Sequence, residues 1–254
     1  MSSRNLTVRP LVTKFHSYAP LSPEEERILE DSVSGTRQYA MEQDIVVEGS
    51  SPDHSCLLLG GLAGRYNVSL EGKRQITALH VAGDFIDLHS YLMKPMDHSI
   101  VALGPCRIAM VPHGALTAIT EQHPNLTRLL WLNTLIDAAT HRRWEFALGT
   151  LQAHSHLAHI ICEMYLRMDQ IGETDNGKFH FPITQTILGE CMALSVVHTN
   201  RSVQKLRADN LISWERDSVT IKDWGRLIEI AQFDPTYLRL PKSSGPVRTL
   251  SWLA

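Results

Sequence analysis

The sequence lacks any run of about 18 apolar residues, so it contains no candidate for a helix that spans a membrane. Its N-terminal segment, MSSRNLTVRPLVTKF, also lacks the continuous apolar stretch of a secretion signal. Cysteine is scarce, since only four occur, widely separated and without a CxxC pair: Cys56, Cys106, Cys162 and Cys191. A disulfide framework and a structural metal site are therefore not expected, no cofactor is predicted, and a reducing cytoplasm fits best.

A strong charge of either sign is also missing. Lys and Arg together number 24 and Asp and Glu 27, so the net charge is −3, which argues against a protein covered by nucleic acid. It does not exclude a sequence-specific DNA reader, because such a module needs only one basic face. The sequence shows no nucleophile–base pair, paired carboxylates or glycine-rich phosphate loop, so an enzyme is not expected.

The composition is that of a globular protein, and 254 residues are enough for two domains. Residues 1–37 are predicted to be helical and loop-like, with a helix start at Ser22-Pro23-Glu24. From about Gln38 short β-prone runs alternate with turn signals, which predicts an antiparallel sandwich or barrel. These runs are residues 44–48, 55–59, 64–70, 75–80, 100–101 and 107–111.

A long helix free of glycine and proline is predicted from about residue 125 to 147. Its apolar face is broad enough to pack both on its own domain and on a second copy of the chain, which predicts a homodimer. The face includes Leu129, Leu132, Ile136, Ala139, Arg143 and Phe146, and Leu126, Leu130, Asn133 and Thr140 lie beside them. Asn133 either fixes the dimer register or is exposed, and Gly149 marks a hinge. The predicted domains are therefore residues 1–150 and 151–254, the latter with an extension beyond about residue 231.

The most informative segment is residues 178–222, KFHFPITQTILGECMALSVVHTNRSVQKLRADNLISWERDSVTIK. A strand over 178–181 precedes a helix that Thr184 can cap, then a tight turn, then a second helix capped by Ser195. A hairpin follows, with Ile212-Ser213-Trp214 and Val219-Thr220-Ile221 as its strands. This order predicts a helix-turn-helix with a wing, whose second helix enters the major groove of double-stranded DNA.

The second helix carries side chains suited to reading bases. Val196, Val197, Asn200 and Arg201 lie in its first two turns, where Arg suits guanine and Asn suits adenine. Thr184, Ser195, His198 and Lys205 are the candidate contacts to the DNA backbone, which Lys205 attracts by its charge.

The chain resembles the CRP/FNR family of transcription regulators over nearly its whole length. The resemblance rests on LSVVHTNR at 194–201, on Asn210-Leu211-Ile212, on IVVEG at 45–49 and on GDFI at 83–86. It implies an α+β fold with an N-terminal antiparallel, jelly-roll-like β-roll, a long dimerisation helix and a C-terminal winged helix-turn-helix. It also implies a palindromic DNA target read in part by Arg201, and RNA polymerase as a partner.

The departures from the family concern the effector pocket. Where nucleotide-binding members present Gly-Glu and then Arg-Ser, this chain has Asp87-Leu88 and His98-Ser99. Without the arginine the permanent cation for a phosphate is lost, and Leu88 has no polar group for a ribose hydroxyl, so cyclic AMP is not expected to bind.

The alternatives to cyclic AMP as an effector are an iron–sulfur centre, haem, a metal ion or a different small molecule. Residues 1–55 contain no cysteine, which excludes the family's N-terminal iron–sulfur centre. A different small molecule or haem is the open alternative, and the effector stays unknown. His154, His156, His159 and Cys162 invite a metal interpretation, but no spacing among them is diagnostic and packing is favoured. A small-molecule-binding module with secondary DNA contact is the competing class of function, and the intact recognition helix argues against it.

Overall fold

The computed structural model describes residues 7–240. The chain forms two compact units, of which the first comprises the residues up to Asn67 together with Leu79–Ala138. The second comprises Val68–Ala78 together with the residues from Ala139 onward. No helix within residues 7–240 is both long and apolar enough to cross a membrane. The α+β class predicted from the sequence is confirmed.

Two short helices open the first unit, α1 (Arg9–His16) and α2 (Pro23–Asp31). The predicted start of α2 is confirmed, because Ser22 and Glu25 each accept a hydrogen bond from the other's backbone N–H in a capping box. α1 lies very close to the turn at Gly83, where a Cβ atom would meet the carbonyl oxygen of Pro10 at 2.8 Å. Gly83 also has a φ of +88°, so both the close contact and the backbone conformation require glycine.

Seven strands form the two antiparallel sheets of the predicted β-roll, in the orders β1-β7-β3 and β2-β6-β4-β5. Their bounds are β1 (Gly35–Tyr39), β2 (Asp44–Val46), β3 (His54–Gly60), β4 (Ala63–Val68), β5 (Arg74–His80), β6 (Ser99–Ala102) and β7 (Cys106–Pro112). A short 3-10 helix, Leu88–Tyr91, lies between β5 and β6. Each β-prone run of the sequence overlaps one of these strands.

The sequence interpretation missed β1. Its residues fell within or next to the segment expected to be helical or loop-like, but they pair with β7 from Gly35 opposite Met110 to Tyr39 opposite Cys106. The side chains of β1 are nearly all exposed, so no alternation of buried and exposed residues marks it. Its strand conformation comes from the partner strand.

Two clusters of buried side chains form the core of the first unit. One joins α1, α2 and the helical residues 116–130, which follow β7, to β3 and β7. Phe15, Leu57 and Leu126 are among its members. The other fills the β-roll and includes Leu58 and Ile100. At about 25 cal/mol per Å² of apolar area, such burial is the main stabilising contribution to the fold.

Three helices follow the β-roll: α3 (His113–Gln122), α4 (Pro124–Thr150) and α5 (Ala153–Gln170). The predicted long helix is confirmed as α4, but it continues through Gly149, and the break falls at residues 151–152 instead. Leu129 and Ile136 are buried within their own chain. Of the two alternatives given for Asn133, exposure is wrong, because the side chain is buried and binds Lys14.

The remaining described chain contains β8 (Thr174–Asp175), β9 (Lys178–His180), α6 (Gln185–Met192), α7 (Val196–Ala208), β10 (Ile212–Glu215), β11 (Ser218–Ile221) and α8 (Trp224–Ala231). The strands form one sheet in the order β10-β11-β9-β8. A 3-10 helix, Pro235–Leu238, begins the segment expected to be an extension. Trp252 and Leu253, which belong to that extension and were candidates for packing on the domain or on a partner, lie outside the described residues.

Candidate functional sites

The α6–turn–α7 segment has the predicted helix-turn-helix geometry. Thr184 and Ser195 are the N-caps of α6 and α7, accepting hydrogen bonds from the N–H groups of Ile187 and His198. Ala193 ends α6 in the left-handed conformation, which turns the chain within three residues. A Cβ atom on Gly189 would lie 2.7 Å from the carbonyl oxygen of Leu194, so only glycine allows α6 to approach the turn this closely.

The outward face of α7 carries the predicted base readers. Val196 and Val197 are exposed, which is unusual for two adjacent valines in a folded domain, and Arg201 is exposed beside them. No ion pair joins Arg201 to any residue within 7–240. Asn200 differs from the other three, because its amide nitrogen donates to Gln185 Oε1 at 3.0 Å and its side chain is half-buried.

The candidate backbone contacts surround this face. His198 is exposed, and its Nδ1 lies 3.2 Å from the Ser195 hydroxyl. Lys205 is exposed and pairs with Asp209 at 3.5 Å, a surface ion pair that contributes no more than about 1 kcal/mol and leaves the cation available to a phosphate. The sequence interpretation missed Gln185, whose role depends on a contact with Asn200 across two helices.

The wing is confirmed as the β10–β11 hairpin, in which Trp214 pairs with Val219. Next to it a cleft is lined by residues of α6, α7 and the hairpin, among them Thr184, Arg207 and Arg216. Two arginines and one carboxylate, Asp217, line this cleft, so it carries a net positive charge next to α7.

In the β-roll, the predicted effector residues are mostly committed to the fold. Asp87 is fully buried, and its Oδ1 accepts a hydrogen bond from the backbone N–H of Cys56 at 2.5 Å. Burial raises the pKa of Asp87 to about 7, against the opposing effect of that hydrogen bond. Leu88 packs against the first core cluster. Neither side chain is arranged to bind a ribose.

The second predicted pair, His98 and Ser99, also has its polar groups bound within the fold. The Ser99 hydroxyl accepts a hydrogen bond from the backbone N–H of Glu48 at 2.9 Å. His98 is buried, and its Nδ1 lies 2.7 Å from Asp97 Oδ1. Burial, assisted by the positive charge of Arg65, lowers the pKa of His98 to about 4. His98 is therefore uncharged near pH 7 and supplies no cation for a phosphate.

Two ion pairs that the sequence did not reveal join distant segments of the first unit, one fully buried and one partly buried. Arg65 on β4 donates to Asp137 on α4 at 2.9 Å. Lys14 on α1 donates to Asp84 at 2.7 Å and to Asn133 at 2.8 Å, and all three side chains are buried. The partners are 70, 72 and 119 residues apart, so only the folded chain brings them together.

Two of the three histidines of α5 are buried packing residues, and the third, His154, is half-buried. His156, His159 and Cys162 are buried, and the His159 ring packs edge-on against Phe233 at 5.0 Å between centroids. A buried carboxylate nearby, Glu163, accepts hydrogen bonds from the side chains of Trp144, Arg167 and Tyr237. These contacts attach α5 to α4 and to the 3-10 helix at 235–238.

Burial of His156 should make stability depend on pH. Burial, with a smaller effect of His159, lowers the pKa of His156 to about 4. Between about pH 6.5 and pH 4 the unfolded state therefore binds more protons than the folded state. Stability is therefore lost as the pH falls through this range, by roughly 3 kcal/mol at its lower end. Urea unfolding at several pH values should show that His156→Leu loses less stability on acidification than the wild type does. His141→Leu, at an exposed position on α4, should keep the wild-type slope, and parallel curves for all three proteins would contradict the prediction.

Comparison with known families places both parts of the chain. Residues 36–123 match the model of the cyclic nucleotide-binding domain, and residues 155–230 match that of the Crp-like helix-turn-helix domain. The first match covers the β-roll and the second covers α5 to α8.

Individual proteins resemble the chain over most of its length. The transcriptional activator protein FnrL of Cereibacter sphaeroides is 22% identical over 214 residues, which cover 83% of this chain and 86% of that protein. The anaerobic regulatory protein of Haemophilus influenzae is 21% identical over 222 residues, covering 87% and 86%.

Solved structures share the fold. FixK2 from Bradyrhizobium japonicum superposes with a TM-score of 0.68 at 18% identity, covering 77% of this chain and 96% of that one. A putative cyclic nucleotide binding protein from Ruegeria pomeroyi gives 0.60 at 14% identity, covering 90% and 98%. At these identities the likeness concerns the fold alone.

Proposed function

The chain belongs to the CRP/FNR family of transcription regulators, and on that premise we propose that it binds a palindromic DNA site as a homodimer without requiring cyclic AMP. In this proposal α7 enters the major groove, with Val196, Val197, Asn200 and Arg201 facing the bases. The relatives it matches are transcription regulators rather than enzymes.

The observation that carries the proposal is the outward face of α7. A capped helix presents an unpaired Arg201 and two exposed valines where a folded domain normally presents polar side chains. An arginine suits guanine O6 and N7, and valine side chains suit the methyl group of thymine. Thr184, Ser195, His198 and Lys205 lie around this face and are proposed to contact the phosphate backbone.

The proposed dimer uses the exposed side of α4. Trp131 and Leu135 are 67% and 52% exposed, and Ala138 and Arg142 continue their row at spacings of three and four residues. Such spacing forms the seam of a coiled coil, and Phe146 extends the exposed apolar surface towards the helix end. A second copy of the chain presents the same row, so the two helices can bury each other's apolar side chains.

Cyclic AMP should not bind with micromolar affinity. The physical reason is that Leu88 packs against the core, Asp87 accepts a hydrogen bond from the Cys56 backbone, and the guanidinium of Arg65, which acts on His98, is paired with Asp137. Calorimetric titration of the dimer with cyclic AMP should give no saturable heat, and addition of the nucleotide should leave DNA affinity unchanged. Micromolar binding would contradict this account and would mean that Arg65 exchanges Asp137 for the phosphate.

Selection of bound sequences from random DNA by the purified protein, without added ligand, tests the proposed function. We expect enrichment of one palindrome whose half-sites are centred about 34 Å apart, since two recognition helices must lie on one face of the duplex. Recovery of random sequence with affinity that depends only on salt would contradict it.

Further partners follow from the same proposal. A DNA-bound regulator of this family is proposed to act on RNA polymerase, and its DNA target together with four reduced cysteines favours the cytoplasm. The proposal also assigns residues 1–150 to a sensor domain and residues 151–254 to a DNA-binding domain. The competing function is regulation by a different small molecule or by haem. The selection experiment also tests it, because an effector-dependent protein would select no DNA site without its effector.

A further inference from the structure

Three possible metal ligands lie together at the edge of the β-roll. His89 is on the 3-10 helix Leu88–Tyr91, and Asp97 and His98 directly precede β6. Each offers one ligand atom, and these three atoms lie within 4.8 Å of one another. No metal site was predicted here from the sequence, and the two histidines, nine positions apart, do not form a recognised metal-binding spacing.

The two histidines have polar atoms that the fold does not use. Nε2 of His89 and Nε2 of His98 are both buried, and neither has a hydrogen-bond partner within residues 7–240. A buried polar atom without a partner destabilises the fold, so two such atoms in one cluster are unusual. The rings are 4.9 Å apart between centroids and tilted by 44°, which is not a stacked packing arrangement.

The third member of the cluster organises the site. Asp97 Oδ1 lies 2.7 Å from His98 Nδ1, so it holds the imidazole with its proton on Nδ1 and its lone pair on Nε2. Because the two ring nitrogens of His98 point in opposite directions, Asp97 must rotate away from Nδ1 to become a ligand of an ion bound at Nε2. Its side chain is 70% exposed, which leaves room for this rotation.

The surrounding charges favour a cation. Burial would raise the pKa of Asp137, but Arg65 and His80 outweigh it, so this carboxylate is ionised next to Arg65. Two carboxylates, Asp97 and Asp137, and one guanidinium, Arg65, therefore lie around the cluster. An anion would meet the carboxylate of Asp97 at the exposed side of the cluster.

We propose that His89, Asp97 and His98 form a binding site for a divalent first-row transition metal ion. Two imidazole nitrogens and one carboxylate oxygen suit Zn²⁺, Co²⁺ or Fe²⁺, whereas Mg²⁺ and Ca²⁺ prefer sites made of oxygen alone. Three protein ligands leave at least one coordination position open to water or to a small ligand. The site would fasten the 3-10 helix to the start of β6.

The test uses the full chain, freed of metal by a chelator and dialysis. Calorimetric titration with Zn²⁺ should show one saturable site per chain, and titration with Mg²⁺ should show none. Co²⁺ should give the visible d–d absorption of a site with nitrogen and oxygen ligands, without the charge-transfer band of a thiolate. Thermal unfolding should shift upwards with added Zn²⁺, because the ion binds the folded state.

Three variants separate this site from other histidines. His89→Gln and Asp97→Asn should each weaken Zn²⁺ binding by at least about tenfold and remove the Co²⁺ spectrum. Asp97→Asn changes an exposed side chain, so it should leave the fold intact even if a buried substitution does not. His156→Gln is the matched control, since it alters a buried histidine with an unpartnered Nε2 in the other unit and should bind Zn²⁺ as the wild type does. No saturable Zn²⁺ binding, or binding unchanged in both ligand variants, would overturn the proposal.

Discussion

Glutamate at both Trp131 and Leu135 should convert the dimer into a monomer and abolish high-affinity binding to a palindromic site. Each glutamate would face its counterpart in a desolvated helix–helix seam, where like charges repel and cannot be hydrated. Because the two wild-type side chains are exposed within one chain, the substitutions should leave the fold of the protomer intact. Sedimentation at micromolar concentration, with circular dichroism as a check of folding, measures both effects.

A matched control uses the β4–β5 hairpin. Leu70 is fully exposed at its turn, so Leu70→Glu adds the same kind of charge at an exposed leucine and should remain a dimer. Charged substitutions at Leu129 and Ile136 would not test the dimer interface. Both residues are buried in their own chain, so the charges would unfold the protomer. A Trp131→Glu/Leu135→Glu protein that sediments as a dimer would contradict the proposed interface.

Replacement of Lys14 by methionine should lower the free energy of unfolding by about 3–5 kcal/mol. Lys14 Nζ binds both Asp84 and Asn133, and all three groups are buried. The substitution keeps the aliphatic length but leaves the Asp84 carboxylate without its cation in the interior. Urea denaturation of the wild type and the variant at pH 7 measures the difference.

The companion variants isolate the ion pair. Lys73→Met removes an exposed lysine and should change stability by less than about 0.5 kcal/mol. In a double-mutant cycle, Asp84→Asn should cost much less in the Lys14→Met background than in the wild type, because it then removes a carboxylate that has already lost its lysine. Additive effects of the two substitutions would show that the pair does not stabilise the fold.

What the sequence predicts well is what short-range patterns determine. The caps of α2, α6 and α7 depend on Ser22, Thr184 and Ser195 and on residues within three positions, so each could be identified directly. The strands of the β-roll carry buried apolar runs between turn signals. β1 has an exposed face and α8 follows the wing without a distinctive signal, so neither was predicted.

The effector region shows where sequence reasoning ends. Asp87, Leu88, His98 and Ser99 could be identified as departures from the family pattern, but not what they do instead. Their new partners include the backbone of Cys56 and of Glu48, and a backbone N–H leaves no mark in a sequence.

The same limit applies to the buried charges. Lys14, Arg65 and Asp137 are ordinary charged residues in the sequence, and their pairing depends on the packing of α1 and α4 against the β-roll. Asn133 stood out only because it interrupts an apolar stripe. The structure explains that interruption by its contact with Lys14, within one chain rather than across a dimer.

The central claim is that α7 reads bases through Arg201, and one comparison tests it most directly. Binding of Arg201→Ala to the selected site and to all its single-base variants should show a loss of about 1–3 kcal/mol on the selected site and no preference at one base pair in each half-site. Lys205→Ala should instead weaken binding to every sequence alike and reduce the salt dependence, as expected for a phosphate contact. If Arg201→Ala weakens binding uniformly and keeps the wild-type base preference at every position, Arg201 is a phosphate contact and the account of base reading by α7 is contradicted.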